Sequence, residues 1–397
     1  MRTIGILGGG QLGGMLSEAL YNYGAKIVFY DPDPLSPSFH KSANHYQGDW
    51  NDAAKLEDFF RQCDLVTYEF ENVATDLLNY LIDKTKKPLF PAENVLKITQ
   101  NRISEKSFLK QNNLPVCKFI ACTNLAELTS NAKEFPFPFI IKTAFGGYDG
   151  KGQWVIQNQS ELEKSLAEIS LLGNSTFIIE EKIDIFSEAS CIVARNKKNE
   201  IECLPIFDNI HKNQILYQTN LPSQLPTIVQ KKLQDIAIEA TEKLDVIGLL
   251  TTEFFISKQK NANTNQDFEV DEFQIYINEF APRPHNSGHI SRVACSINQY
   301  DLFARVLLDL PLHTPKLYPG YFCMGNLLGS TWIKQKQGKN LNLSCWKDHP
   351  NIVSLTLYGK ESPTEQRKMG HFVCHADNIH DCNKFSENFR KDLNESD

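Results

Sequence analysis

Two glutamates occupy strands that are otherwise apolar: Glu253 in LLTTEFFIS and Glu279 in IYINEFAPR. A carboxylate inside an apolar strand is costly to bury unless it is paired or bound to a metal. A polar segment, SKQKNANTNQDFEVDE, joins the two strands and reads as a surface loop or hairpin tip, so the carboxylates can lie side by side. Neighbouring carboxylates repel unless a cation sits between them. Mg²⁺ suits the pair, because it is a hard ion that takes carboxylate and phosphate oxygens together. Either glutamate alone would read better as a solvated sheet-edge residue; the pair reverses that judgement.

Three further stretches carry the chemistry that such a metal would serve. FGGYDGKGQW, Phe145 to Trp154, follows the strand-like FIIKTA, which carries Lys142. A glycine-rich loop can fold over a polyphosphate and offer several N–H donors, with Lys142 and Lys151 neutralising charge. The order of residues is not that of a P-loop. APRPHNSGH, Ala281 to His289, begins two residues past Glu279. Arg283 there stands where transferred phosphate charge would develop, and Asn286-Ser287-Gly288 lets backbone approach an anion. GGGQLG, Gly8 to Gly13, fits the dinucleotide pattern after a strand and before a helix, with Asp31 at the end of the next strand. On the first hundred residues alone, a nicotinamide-dependent oxidoreductase competes; it leaves the glutamate pair and the glycine loop unexplained. In LYGKESPTEQRKMGH, Lys360, Arg367 and Lys368 form a cationic cluster that by itself reads as a solvated loop. His371, Cys374, His375, His380 and Cys382 fit no closed zinc spacing and read as structural or surface residues.

The elements that must position these residues follow from periodicity. RTIGILG, KIVFYD and DLVTYEFENV read as strands, the last stopping at Glu69 and Glu71, with a helix from Gln11 to Tyr23. That βαβ order implies a parallel sheet, in a Rossmann-like unit over residues 1–97. Over 98–313 the pattern gives a helix from Ile98 to Asn112, strands at FIIKTA and FIIEEKI, a hairpin turning at Asn196 to Asn199, and helices over 227–244 and 299–308. SELEKSLAEIS presents a capping box, Ser160 with Glu163. A small, mainly β unit is expected over 314–380, and 381–397 reads as a polar tail that frays. The fold class is therefore α/β and α+β.

The 397 residues, 41% hydrophobic and 22% charged, suit two or three globular domains. A net charge of −7 carries no basic stripe for nucleic acid, so an anionic ligand must be held by local cations and backbone dipoles. Ten scattered cysteines without a CxxC pair imply reduced thiols and a cytoplasmic setting. No apolar run has the length or form of a signal peptide or a membrane span.

In order and spacing, ILGGGQLGGM, YEFENV, GGYDGKGQ, EEKI followed by Glu188, NEFAPRPHNSGH, NLLG and YGK…RKMGH resemble the ATP-grasp superfamily. Within it they resemble the N5-carboxyaminoimidazole ribonucleotide synthetases, ATP-dependent carboxylating ligases of purine biosynthesis. The resemblance spans almost the whole chain and implies an ATP-grasp domain between a nucleotide-fold domain and a small C-terminal domain. It implies ATP, bicarbonate and aminoimidazole ribonucleotide as substrates, Mg²⁺ as cofactor, and a homodimer. It implies phosphate contacts by Arg102 and Lys142. Gly147, Tyr148, Asp149, Gly150, Lys151, Gly152 and Gln153 would be the phosphate lid. Glu180, Glu181, Lys182 and Ile183 would bind adenine, partly through backbone groups, Glu188 would hold the ribose, and His211 would also line the nucleotide site. Glu253 and Glu279, with Asn278 adjacent, would take the metal. Gly10, Gln11, Leu12, Glu71, Tyr148, Asp149, Lys360 and Arg367 would meet the ribonucleotide. Arg283, Lys142, Asp149 and Asn286 would act in catalysis. Gly14 stands where relatives usually have arginine. A formate-using glycinamide ribonucleotide transformylase is the nearest alternative within the superfamily, and a non-catalytic nucleotide binder a further one.

Overall fold

The computed structural model describes residues 1–42, 44–146, 152–173, 175–258, 268–335 and 340–393. The chain opens with β1 (Thr3–Leu7), α1 (Gln11–Asn22), β2 (Lys26–Asp31), β3 (Asn44–Gln47), α2 (Ala53–Gln62), β4 (Leu65–Tyr68) and α3 (Thr75–Thr85). These strands pair in parallel in the order β3-β2-β1-β4. Ile4 and Ile6 face α1, while Leu7, Val28 and Tyr30 face a separate core with Phe59 and Phe60 of α2. Gly5 permits that second packing, because a Cβ there would stand 2.7 Å from Cys63 Sγ.

Helices α4 (Glu93–Thr99) and α5 (Arg102–Gln111) replace the single helix expected over 98–112. The break is chemical: the Asn101 side chain accepts from Ile103 N and Ser104 N at 2.8 and 3.1 Å, starting a new helix. An antiparallel sheet follows, from β5 (Phe119–Cys122), α6 (Leu125–Glu134), β6 (Phe139–Thr143), β7 (Gln153–Ile156), α7 (Gln159–Ile169) and β8 (Phe177–Glu181), in the order β5-β8-β6-β7. The box that caps α7 lies two residues before the expected Ser160–Glu163. Asn158 accepts from Glu161 N at 3.0 Å, and Glu161 accepts from Gln157 N at 2.9 Å. Asparagine, an equally good cap, takes the earlier position and leaves Ser160 inside the helix.

The large sheet uses β9 (Ser187–Arg195), β10 (Ile201–Cys203), β11 (Phe207–Lys212), β12 (Ile215–Leu221), β13 (Gly248–Ser257), β14 (Glu269–Val270) and β15 (Phe273–Ala281). Helices α8 (Thr227–Lys243), α9 (Ser291–Ala294) and α10 (Gln299–Leu307) interleave with them. Then come β16 (Tyr321–Leu328), α11 (Gly329–Gln335), β17 (Ile352–Leu357), β18 (Lys368–Ala376) and α12 (Ile379–Asp392). Among the described residues this sheet has ten strands, and β16, β18 and β17 extend it through the β12–β16 pairing, Gln218 opposite Gly325. The strands of the small β unit expected at the C-terminus continue the central ladder.

The expectation of a frayed tail from 381 is corrected by α12. Its average polarity conceals a stripe in which Cys382, Ser386, Phe389 and Arg390 are buried. Asn378 caps it, accepting from Asp381 N at 2.9 Å. Arg390 donates to Asn326 O at 2.8 Å and Tyr217 O at 2.7 Å, and its guanidinium lies 3.9 Å from the Tyr217 ring centre. Phe389→Ala is expected to cost about 3–5 kcal/mol in a urea unfolding titration, as for a fully buried aromatic. A change near zero would restore the frayed-tail reading.

Candidate active site

β13 and β15 set the centre of the site. Their antiparallel register places Glu253 directly opposite Glu279. Alternation alone would not do this. Ile275 and Ile277 point into the core beneath the sheet, and so does Phe280, three residues past Ile277. The parity slips because the register shifts between Glu253 and Phe254, leaving Asn278 as an extra residue on β15. This β-bulge turns Glu279 to the face that carries Glu253, a common device beside active sites.

α5 pins the bulge. The buried Lys106 donates from Nζ to Ile277 O at 3.1 Å and Asn278 O at 2.5 Å. Its neighbour Glu105 accepts from Phe280 N at 2.7 Å. Both backbone sides of Glu279 are thereby fixed by adjacent residues of one helix. Sequence reasoning missed this pair, in which two adjacent charges share the buried face of α5 with Leu109. Burial pushes the Glu105 carboxyl up, from the ordinary 4.5 to about 8, against the pull of Lys106.

The loop after β15 supplies the polar groups around the carboxylates. His285 Nε2 lies 2.9 Å from Glu253 Oε1. Burial opposes ionisation of Glu253, but the proton presented by His285 and the nearby His211 outweigh it, and its value falls below the usual carboxylate range. Glu279 moves the other way, raised by the surrounding protein and by the charge of Glu253, although its side chain opens to solvent in the cleft. Arg283 forms a two-pronged pair with Glu71, Nε to Oε2 and Nη2 to Oε1, each 2.9 Å. Burial works against the guanidinium; Glu71 more than compensates and raises its value. Among the described residues, neither polar atom of the buried Asn286 amide has a partner. A buried amide without partners costs free energy that a ligand can recover.

The nucleoside-side residues lie where the two antiparallel sheets meet. Lys142 of β6 and Glu180 of β8 form a buried pair at 2.7 Å, with Glu180 Oε1 unpartnered among the described residues. Burial would raise Glu180, but Lys142 and Lys106 hold it below the usual range. Arg102 donates from Nη1 to Thr143 O at 2.8 Å, beside the start of the glycine loop. Glu181 ends β8, Lys182 is exposed, and Ile183 packs with Cys117 and Tyr276 and against Phe255 in a small apolar cluster. Glu188 Oε2 and His211 Nδ1 approach to 2.8 Å. Gly152 has φ +68 and Gln153 opens β7. Gly147, Tyr148, Asp149, Gly150 and Lys151 lie outside the described residues, as does part of the 257–272 segment.

The glycine turn departs from expectation. Gly10 N and Gly13 N both donate to the carboxylate of Glu69, the latter at 2.8 Å. Gly9 N donates to Asp31 Oδ2 at 2.7 Å. Ser36 and Ser38 hydroxyls take the carbonyls of Gly9 and Gly10. An internal anion thus occupies the donors that a dinucleotide pyrophosphate would need, and the oxidoreductase alternative loses its site. Leu12 is buried in α1. At Gly14 a Cβ would meet Ser38 Oγ at 2.7 Å and Lys41 Nζ at 3.3 Å, so an added side chain must displace both. Lys360 donates to Lys368 O at 2.9 Å, and its charge reaches Glu69. Arg367 donates to Ser362 O of its own turn at 2.9 Å.

Two antiparallel sheets that face a cleft, with paired carboxylates on one and a lysine on the other, define an ATP-grasp enzyme. Family models agree in three successive stretches. The ribonucleotide synthetase preATP-grasp domain matches residues 1–100, the ATP-grasp domain 107–300, and the phosphoribosylaminoimidazole carboxylase C-terminal domain 323–384. The chain is 35% identical to N5-carboxyaminoimidazole ribonucleotide synthase of Staphylococcus aureus (strain MRSA252), over 94% of this chain and 92% of the relative. It is 33% identical to that of Bacillus subtilis (strain 168), over 94% and 90%. The crystal structure of N5-carboxyaminoimidazole synthetase from Staphylococcus aureus complexed with ADP matches with TM-score 0.85 at 31% identity, covering 99% of this chain and 97% of that one. The chain belongs to the N5-carboxyaminoimidazole ribonucleotide synthase family and is an ATP-dependent carbon–nitrogen ligase.

The raised Glu105 gives a signed pH effect. Its ionised form is penalised in the fold, so the penalty is absent below pH 4.5 and grows until the pH passes about 8. Glu105→Gln keeps an acceptor for Phe280 N. The variant should gain on the wild type across that window by at most about 1.4 kcal/mol per pH unit. Thermal unfolding from acid to alkaline pH measures it; a difference that stays constant with pH would sink the assignment.

Proposed function

We propose that this chain binds ATP between its two antiparallel sheets and uses it to carboxylate the amine of 5-aminoimidazole ribonucleotide with bicarbonate. The products are N5-carboxyaminoimidazole ribonucleotide, ADP and phosphate, a step of purine biosynthesis. The facing pair Glu253 and Glu279, beside Arg283 and an Asn286 amide unpartnered among the described residues, carries this reading.

The chemistry has two balanced steps. A bicarbonate oxygen attacks the γ-phosphorus, the bond to the bridging oxygen breaks, and ADP leaves with its electron pair. The carboxyphosphate so formed has a good leaving group. The amine nitrogen then attacks the carboxyl carbon, phosphate departs with the C–O electrons, and the nitrogen gives up a proton. These steps ask the protein for positioning and charge stabilisation more than for a nucleophile. Arg283, its guanidinium oriented by Glu71, would stabilise charge on the carboxyphosphate. Asn286 would donate to the same anion through its amide nitrogen. Lys142 and Arg102 would neutralise phosphate charge, and the Cys117–Ile183–Tyr276 cluster offers an apolar wall to adenine. Gly147 to Gln153 as lid, with Lys360 and Arg367 on the ribonucleotide phosphate, completes the proposal.

The carboxylate pair fits a hard divalent ion. The two residues stand directly opposite across the ladder, burial and then the charge of Glu253 raise Glu279, and two carboxylates leave the remaining coordination to phosphate oxygens and water. Mg²⁺ held by Glu253 and Glu279 would supply neutralisation of polyphosphate charge. A homodimer in the cytoplasm is proposed on the family resemblance, and sedimentation equilibrium tests the first part.

ADP release should require both bicarbonate and aminoimidazole ribonucleotide. Formate in place of bicarbonate, with glycinamide ribonucleotide, should give none; turnover there would favour the transformylase. Glu279→Gln should lower kcat by about 100-fold or more, the scale of losing one electrostatic stabiliser, with an unchanged far-UV spectrum. Wild-type turnover in that variant would remove Glu279 from the metal site.

A further inference from the structure

A chain of buried hydrogen bonds runs across the face of the sheet that carries Glu253 and ends on the site. The Thr219 hydroxyl on β12 donates to Asn209 Oδ1 on β11 at 3.1 Å. Asn209 Nδ2 donates to Ser190 Oγ on β9 at 2.9 Å. Ser190 Oγ and Ser287 Oγ, in the loop after β15, are 2.8 Å apart. Ser287 Oγ lies 2.8 Å from His285 Nδ1, whose Nε2 is 2.9 Å from Glu253 Oε1. Thr219, Ser190 and Ser287 are wholly buried and Asn209 nearly so, so water does not offer an alternative partner.

The two ends fix the direction of every link. An amide nitrogen can only donate, so Ser190 Oγ accepts from Asn209 and must pass its own proton to Ser287. Ser287 Oγ, accepting from Ser190, has its proton left for His285 Nδ1. At the far end Nε2 meets a carboxylate oxygen at 2.9 Å, an acceptor, so the imidazole proton belongs on Nε2. For a neutral imidazole one polarity satisfies all five contacts, and Ser287 N also donates to His285 Nδ1 at 3.4 Å, which needs that nitrogen bare. Reversing the Asn209 amide would reverse each hydroxyl and leave Nδ1 protonated, with a bare Nε2 against Glu253.

We propose that Ser287 and Ser190, oriented by Asn209, are positioning residues that lock His285 in the tautomer with its proton on Nε2. His285 thereby holds Oε1 of Glu253 and fixes the orientation of that carboxylate. The consequence for metal binding rests on the proposed role of Glu253; the tautomer does not. Second-layer hydrogen bonds of this kind orient ligands and tune affinity.

The test is the side-chain nitrogen spectrum of histidine-labelled, nucleotide-free protein, with the His285 signals identified by their absence in His285→Gln. The expected pattern is an unprotonated Nδ1 and a protonated Nε2. Ser287→Ala should move both signals towards averaged tautomers, and Ser287→Thr, which keeps the hydroxyl, should restore them. Ser190→Ala, one link further from the loop, should produce the same averaging if Ser287→Ala fails to fold. In parallel, Ser287→Ala should raise the Mg²⁺ concentration needed for half-maximal ADP release by about 10–100-fold, with a smaller change in kcat. A wild-type spectrum with protonated Nδ1, or alanine variants with an unaltered His285 pattern, overturns the proposal. Averaged tautomers with an unchanged Mg²⁺ requirement support the relay and reject Glu253 as a metal ligand.

Discussion

Two like charges held face to face across one β ladder are the constraint on which this molecule is organised. Left alone, Glu253 and Glu279 destabilise each other, and the structure splits their behaviour, with one carboxyl held low and the other pushed up. Keeping them opposed requires the extra residue at Asn278, and keeping that residue in place requires a buried lysine on α5. The region is thus built against its own electrostatic preference, as expected where a ligand is to supply the missing cation.

The same logic recurs at the contact between the N-terminal unit and the clamp. Arg283 needs a counter-charge to remain in a largely enclosed position, and Glu71 at the end of the parallel sheet provides it. Its near neighbour Glu69 does a different task with the same functional group, quenching the free N–H groups at the start of α1. One acid locks two units together, and the other closes a site that the glycine pattern advertises. The N-terminal unit keeps the shape of a nucleotide-binding fold while its phosphate position is taken from within.

Much of this was legible from residue order. The glutamate pair stood out because acids interrupt apolar strands, and the apolar positions Ile275, Ile277 and Phe280 already carry the slip in spacing that a bulge produces. The parallel N-terminal sheet, the hairpin at Asn196 to Asn199 and the long helix after Thr227 follow local periodicity and appear as expected. What escaped was set by tertiary contact. Nothing near Gly10 says that Glu69, far along the chain, will fill its donors. The polarity of α12 hid a narrow buried stripe, and the capping box fell on Asn158 because two equivalent caps compete two residues apart. Lys106 and Glu105 look like any surface pair on a helix until β15 is laid against them.

The pairing of β12 with β16 has a mechanical corollary. Continuous antiparallel bonding from β15 through to β17 makes one stiff plate of the carboxylate strands and the segment bearing Lys360. Hydrogen-bonded strands resist sliding, so relative rotation between those two regions is suppressed. Among the described residues, the sheet β5-β8-β6-β7 has no such ladder to the plate; chain segments around Leu114 and Lys182 and a Gln153–Gln214 side-chain contact join the two. The carboxylate pair and the Lys360 segment therefore keep a constant spacing, like two marks on one anvil.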